Sequence, residues 1–296
     1  MLYLKLAWRN IWRNKRRTFI TMLSVIVAVM LSSAMRTMNE GSYEQMIDNT
    51  VGLFTGYAQI HQKGYWDDKT LEYTLTSEDS LFRIIDQTSG ISEAVPRLES
   101  YALVAGEKQS RAAMVIGIDP EKEKSLSDPQ SRIISGSYFE DIDERSVLLG
   151  TDLMQRLKLQ VGDSLVMIGQ GFRGQSAAGL YEIKGTVRFP NPELNKSLVM
   201  LPLETAQYFL AAPERLTGIS LIMEDPDDAA QIVKYLSGKL SNEEYEVMDW
   251  KELMPELVQA IESDRGSGFI IIMILYVVVG FGDPWNGLND DNRKNV

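Results

Sequence analysis

Residues 18–35 read TFITMLSVIVAVMLSSAM, an eighteen-residue run without one charged side chain. As an α-helix rising 1.5 Å per residue it reaches roughly 27 Å, close to the hydrocarbon thickness of a bilayer. Lys5, Arg9, Arg13, Lys15, Arg16 and Arg17 precede it with no acid among them, whereas Arg36, Glu40 and Glu44 follow it. That asymmetry predicts a membrane helix with its N-terminal side in the cytoplasm and everything after residue 35 outside it. The upstream segment has an order of its own. Leu4, Trp8, Ile11 and Trp12 share one helical face with Lys5, Arg9, Arg13 and Arg16 beside it, the pattern of a helix lying in the membrane interface, although Leu2 and Leu6 interrupt it. A cleavable signal peptide is the competing reading, with Ser32 and Ala34 as the small residues of a cleavage site. The apolar run, however, exceeds the roughly 7–15 residues of a signal h-region.

The net charge is -11. Since the first seventeen residues carry +6, the rest of the chain holds -17. An acidic domain excludes nucleic acid as the expected partner, because phosphate binding needs clustered Lys and Arg. The absence of cysteine excludes disulfides, thiolate nucleophiles and cysteine metal sites.

A second apolar run, GFIIIMILYVVVGFG at residues 268–282, follows Glu262, Asp264 and Arg265. It is long for a strand and short for a full span, so periodicity leaves a buried strand and a membrane helix open. Residues 283–296, DPWNGLNDDNRKNV, read as a polar tail that is not the ancestral continuation, as a frameshift or premature stop would leave. Residues 36–267 between the two runs alternate strands and helices. Residues 43–49 are expected to prolong the membrane helix as a stalk. Strands are expected at 55–61, 95–105, 112–118, 147–149, 181–187, 197–201 and 218–223, and a further one after the Val161-Gly162-Asp163 turn. Helices are expected at 76–89, 152–157, 202–210, 225–240 and 250–263. The middle stretch, 146–187, reads as mostly β, and the pattern on either side of it as α/β.

Several motifs invite a catalytic reading. Gly169, Gly171 and Gly174 form G-x-G-x-x-G after a strand, but Gln175 stands where a phosphate loop needs Lys and no helix follows to supply a dipole. The glycines are read as a hairpin loop. His61, the single histidine, cannot build a histidine metal cluster, and no G-x-S-x-G elbow accompanies it. It is read as a surface histidine at a strand end. Asp67-Asp68 is assigned to a polar loop and Asp227-Asp228 to a helix start, neither to acid–base work. No enzymatic activity is expected.

With this topology, the chain resembles the permease subunits of ABC transporters of the MacB and lipoprotein-releasing (LolC/LolE) type, the FtsX-like permease family with a MacB-like periplasmic core domain. The stretch LAWRNIWRNKRRTFITMLSV looks like that family's cytoplasmic elbow and first membrane helix. Similar patterns continue in VIGIDPEKE, IISGSYF, SVLLGTDLMQRLKLQVGDSLVMI, LPLETAQYFL and DWKELMPEL, so that the resemblance covers about residues 1–282.

The resemblance implies an α+β chain in five parts. These are an amphipathic elbow (1–17), a transmembrane helix (18–35), a two-lobed periplasmic domain with an α/β porter-like lobe and a mostly β lobe (36–267), the start of a second transmembrane helix (268–282) and the atypical tail. It implies a permease of the inner membrane that works with a cytoplasmic ABC ATPase, a second permease chain, membrane lipid and periplasmic or outer-membrane components. ATP would bind the partner subunit and no cofactor this chain. The family's third and fourth membrane helices would follow residue 282. The residues expected to matter are mechanical: Trp8, Arg9, Trp12, Arg13, Arg16 and Arg17 at the cytoplasmic interface, with the stalk segments 43–49 and 250–264. A singly anchored or secreted binding module without an ATPase is the alternative, and a periplasmic hydrolase centred on His61 a third.

Overall fold

The computed structural model describes residues 15–106, 109–241 and 243–281. Its elements begin with α1 (Lys15–Ile47), a π-helical turn (Asp48–Thr55), β1 (Ala58–Gln62), α2 (Tyr65–Asp68), β2 (Leu75–Thr76), α3 (Asp79–Asp86), β3 (Ile91–Ala105) and β4 (Ser110–Ile118). There follow α4 (Glu123–Leu126), β5 (Ile133–Gly136), β6 (Ser146–Gly150), α5 (Thr151–Leu157), β7 (Ser164–Gln170), β8 (Ser176–Val187), α6 (Pro192–Ser197), β9 (Leu198–Pro202) and α7 (Leu203–Phe209). The series closes with β10 (Arg215–Leu216), β11 (Gly218–Met223), α8 (Ala229–Lys239), β12 (Tyr245–Asp249), α9 (Trp250–Leu253) and α10 (Pro255–Phe281). Two compact units result: Ile47–Met254, and the described parts of Met1–Met46 with Pro255–Val296.

In the first unit β3 governs the topology. Its first half pairs antiparallel with β11, and its second half, Arg97–Ala105, with β4. Where β11 stops, β7 takes over the other side of β3 at Ala102–Ala105. β4 then pairs with β9, β9 with β6, β6 with β8, and β8 with β7, so that six strands close into a barrel. From β3 the sheet extends outward through β11, β1 and β12, and from β8 through β5. The α/β part and the mostly β part expected from the sequence therefore share one ten-stranded sheet and one strand, β3.

Alternation along the strands sorts side chains between two cores. Val115, Leu149 and Val199 join the larger cluster, with Leu165, Met167 and Ile183, while their neighbours Ile116, Leu148 and Met200 join Tyr138, Phe139 and Phe189 in the smaller. Strands β6 and β9, each with a parallel neighbour, are buried along their whole length, as expected of strands covered on both faces. Helix α7 lies so close to β4 that a side chain at Gly117 would meet the Ala206 Cβ at 2.4 Å.

Some expectations shift. β1 starts at Ala58 and shows no alternation, because it is an inner strand between β11 and β12 and is buried on both faces. The helix expected over 76–89 is confined to Asp79–Asp86. Asp67 and Asp68 belong to the short helix α2 and not to a loop. The helix expected over 250–263 is broken at Met254, which takes an extended φ of -130 because it precedes Pro255. Asp249 closes a capping box with Glu252 on α9. The second apolar run is helical as far as Phe281, continuous with α10. Helix α6 and strand β12 are additional to the sequence reading.

Candidate functional site

Helix α1 carries its apolar residues outward: Phe19, Met22, Leu31 and Met35 are all more than half exposed. The stretch Met22–Thr55 has a mean hydropathy of 1.4 over its most apolar window and is the one helix among the described residues long and apolar enough to cross a membrane. Water would leave this surface unfavourably solvated, whereas lipid would match it. Of the interface residues singled out in the sequence, Arg16 and Arg17 fall in the first turn of α1, with Arg16 exposed. Trp8, Arg9, Trp12 and Arg13 lie outside the described residues, as do residues 283–296.

Above its apolar stretch α1 meets α10 through polar groups. Arg265 Nη2 lies 2.5 Å from Glu40 Oε2, the Tyr43 hydroxyl donates to Asp264, and the Arg265 guanidinium stands 5.4 Å from the Tyr43 ring centre. Both halves of the expected stalk thus supply partners for one clasp. The pair is half exposed, so it fixes register more than it adds stability, at about 0–1 kcal/mol for a surface pair.

The π-helical turn that follows α1 is tied to the sheet by a charge the sequence reading passed over. Arg97, on β3, is 2% exposed and meets Glu123 of α4, which is fully buried, through Nη2 to Oε1 at 2.5 Å and Nε to Oε2 at 3.1 Å. Its Nη1 donates to the Phe54 carbonyl at 2.6 Å, and its guanidinium lies 4.7 Å from the Phe54 ring centre. Phe54 in turn packs edge-on against Phe189 at 5.8 Å. The Ser127 hydroxyl donates to Glu123 as well. A bidentate, fully hydrogen-bonded pair is the form in which a buried charge is tolerated. One side chain therefore joins the turn, the shared strand and α4. Arg97 stood out in the sequence only as the one charge within VPRL, and Glu123 was hidden in the charged run EKEK.

His61 requires a correction. It is 3% exposed and not on the surface, because Tyr65 and Trp66 of α2 cover its ring, with centres 5.0 and 5.3 Å away. Nδ1 lies 2.7 Å from the Thr217 carbonyl, Nε2 lies 2.8 Å from Gln59 Oε1, and the ring stacks on Tyr65 at 5.0 Å. Burial pushes the imidazole down to about 4, against the Thr217 carbonyl, which favours the protonated form. Gly218 makes the space: a Cβ there would stand 2.6 Å from His61 Cε1. Both ring nitrogens are occupied within the sheet, and no nucleophile contacts them.

Of the G-x-G-x-x-G glycines, Gly169 is paired within β7, and Gly171 and Gly174 lie in the β7–β8 turn. The Phe172 N–H donates to the Leu210 carbonyl at 2.8 Å, and a Cβ at Gly171 would meet that same oxygen at 2.5 Å. Strand β8 follows directly, so no helix N-terminus faces the loop. Asp227 and Asp228 sit in a 3-10 turn ahead of α8, with Asp225 accepting from the Asp227 N–H at 3.0 Å. Among the described residues no group of three or more His, Cys, Asp or Glu side chains is placed to hold a metal.

The family model described as the MacB-like periplasmic core domain matches residues 18–238. The chain is 25% identical over 280 residues to the lipoprotein-releasing system transmembrane protein LolC of Neisseria meningitidis, an alignment covering 91% of this chain and 65% of that protein. It is 25% identical over 239 residues to the macrolide export ATP-binding/permease protein MacB of Hyphomonas neptunium, covering 75% of this chain and 35% of that one. It thus spans less than two thirds of the length of these curated relatives. A solved structure, the periplasmic region of MacB from Actinobacillus actinomycetemcomitans, aligns with a TM-score of 0.47 and 15% identity over 71% of this chain and 94% of that one. The family match extends from the start of the apolar run into α8, and by it the chain belongs to the MacB-like periplasmic core domain family.

Proposed function

We propose that this chain is a permease subunit of an ABC-type transporter, set in the inner membrane with its basic N-terminal segment in the cytoplasm and the unit Ile47–Met254 in the periplasm. The observation that carries the reading is the family match over residues 18–238, which joins an outward-facing apolar helix to the sheet domain in one continuous segment. ATP is hydrolysed by a separate cytoplasmic subunit, and this chain contributes no catalytic group and binds no cofactor. A second permease chain completes the membrane part. One relative is named for lipoprotein release and the other for macrolide export, which supports a substrate handled on the outer side of the membrane. In this reading the elbow residues Trp8, Arg9, Trp12, Arg13, Arg16 and Arg17 seat the chain at the cytoplasmic interface, and the Arg97 junction passes movement of the helix end to β3.

The test is topology together with partnership. A reporter active only outside the cytoplasm, fused after residue 46, should be active, and the full chain expressed with its genomic neighbours should purify with an ATPase in fixed stoichiometry. A reporter silent there, or a mature chain beginning near Arg36, overturns the membrane placement. Purification without any ATPase favours the singly anchored binding module.

A further inference from the structure

Strand β8 is left open along half its length. It pairs with β7 from Ser176 to Glu182 and on the same side with β5 from Gly185, whereas β6 begins to cover its other side only at Glu182. From Ser176 to Tyr181 one side of the strand has no strand beside it. The Ile183 N–H donates to Asp163 on the β7 side and its carbonyl accepts from Gly162, so alternate groups from residue 177 onward turn toward β7. Those of Ala178 and Leu180 therefore turn to the open side. The usual protections of a free edge are missing: SAAGLY holds no charge, no proline and no bulge.

A groove of about 400 Å³ runs beside this edge. Its far wall is Asp143 and Arg145, from the segment leading into β6, and Glu204, Thr205 and Tyr208 of α7. The wall is built: the Thr205 hydroxyl donates to the carbonyls of Asp143 and Glu144 at 3.1 and 3.0 Å, and Lys184 holds Glu144 at 2.8 Å. Tyr208 is 73% exposed under the Arg145 guanidinium, 5.0 Å from its ring centre, and Leu180 is 65% exposed. Asp143 and Glu204 have no ion-pair partner among the described residues.

We propose that this groove takes an extended segment of a partner protein carrying a lysine or arginine, which adds to β8 as a further strand. Backbone groups of Ala178 and Leu180 supply the ladder, Tyr208 and Leu180 the apolar contacts, and the two free carboxylates the preference for a basic side chain. The acidity of the chain beyond its first seventeen residues draws such a segment in. The site stands on the sheet topology and does not depend on the membrane reading.

The test uses the full chain in lipid nanodiscs and two synthetic probes, the acetylated, amidated hexapeptide Val-Thr-Lys-Thr-Val-Thr and its counterpart with Glu in place of Lys. Bound lysine peptide should slow amide exchange at Ala178 and Leu180 by about tenfold. The Glu peptide should bind more weakly. Asp143→Lys with Glu204→Lys, both at the groove rim, should invert this preference and cost the lysine peptide about tenfold in affinity. Leu180→Pro should remove binding of both; should that variant fail to fold, the rim reversal alone decides. Unchanged exchange at residues 178 and 180 with millimolar lysine peptide, or equal affinities before and after reversal, overturns the proposal.

Discussion

A single buried imidazole gives this domain a measurable acid sensitivity. His61 is neutral in the folded state with a pKa of about 4, against 6.5 for the free side chain. Between those values the unfolded chain binds a proton that the folded chain refuses, so stability falls as pH drops from about 6.5 toward 4 and is unaffected above that window. The loss amounts to roughly 3 kcal/mol, from 1.36 kcal/mol per unit. Urea unfolding of wild type and His61→Gln at pH 7.5 and pH 5 should show a steeper decline for the wild type, and parallel declines would disprove the assignment. The sequence placed His61 correctly on a strand and misjudged its exposure. What covers the imidazole is α2, through Tyr65 and Trp66, and the sequence reading took the Asp67-Asp68 end of that helix for a polar loop.

At the scale of elements, the joint between the π-helical turn, β3 and α4 rests on Arg97 and Glu123. Removing either partner strands a buried charge, and Arg97→Met or Glu123→Gln alone should cost about 3–5 kcal/mol. The double variant should be less destabilised than the sum of the singles, since the two buried charges leave together and only the partly exposed Glu99, 3.9 Å from Arg97, loses a partner. A double-variant cycle by thermal or urea unfolding measures this; additive losses would show that the pair does not act as a unit. Most elements were legible in the sequence because turn residues mark their ends: the Val161-Gly162-Asp163 turn before β7, Asp225-Pro226 before α8, Pro202 before α7. The β8 groove was not, because it arises where two strands of unequal reach fail to overlap. The Arg97–Glu123 pair spans twenty-six positions and leaves no periodic trace.

The whole unit Ile47–Met254 has its own sheet and both apolar clusters, which predicts that it folds when excised. Expressed alone it should give a soluble species with a single cooperative unfolding transition and mixed helix and strand dichroism; an aggregated or unfolded product would count against it. Two transitions would mean that barrel and outer sheet are separable. The fifteen residues of β3 argue otherwise, since its first half belongs to the outer sheet and its second to the barrel wall. A strand is stiff along its length, so a pull applied beside β1 cannot be absorbed by a hinge between the parts. A tilt of the outer sheet is therefore also a tilt of one wall strand of the barrel.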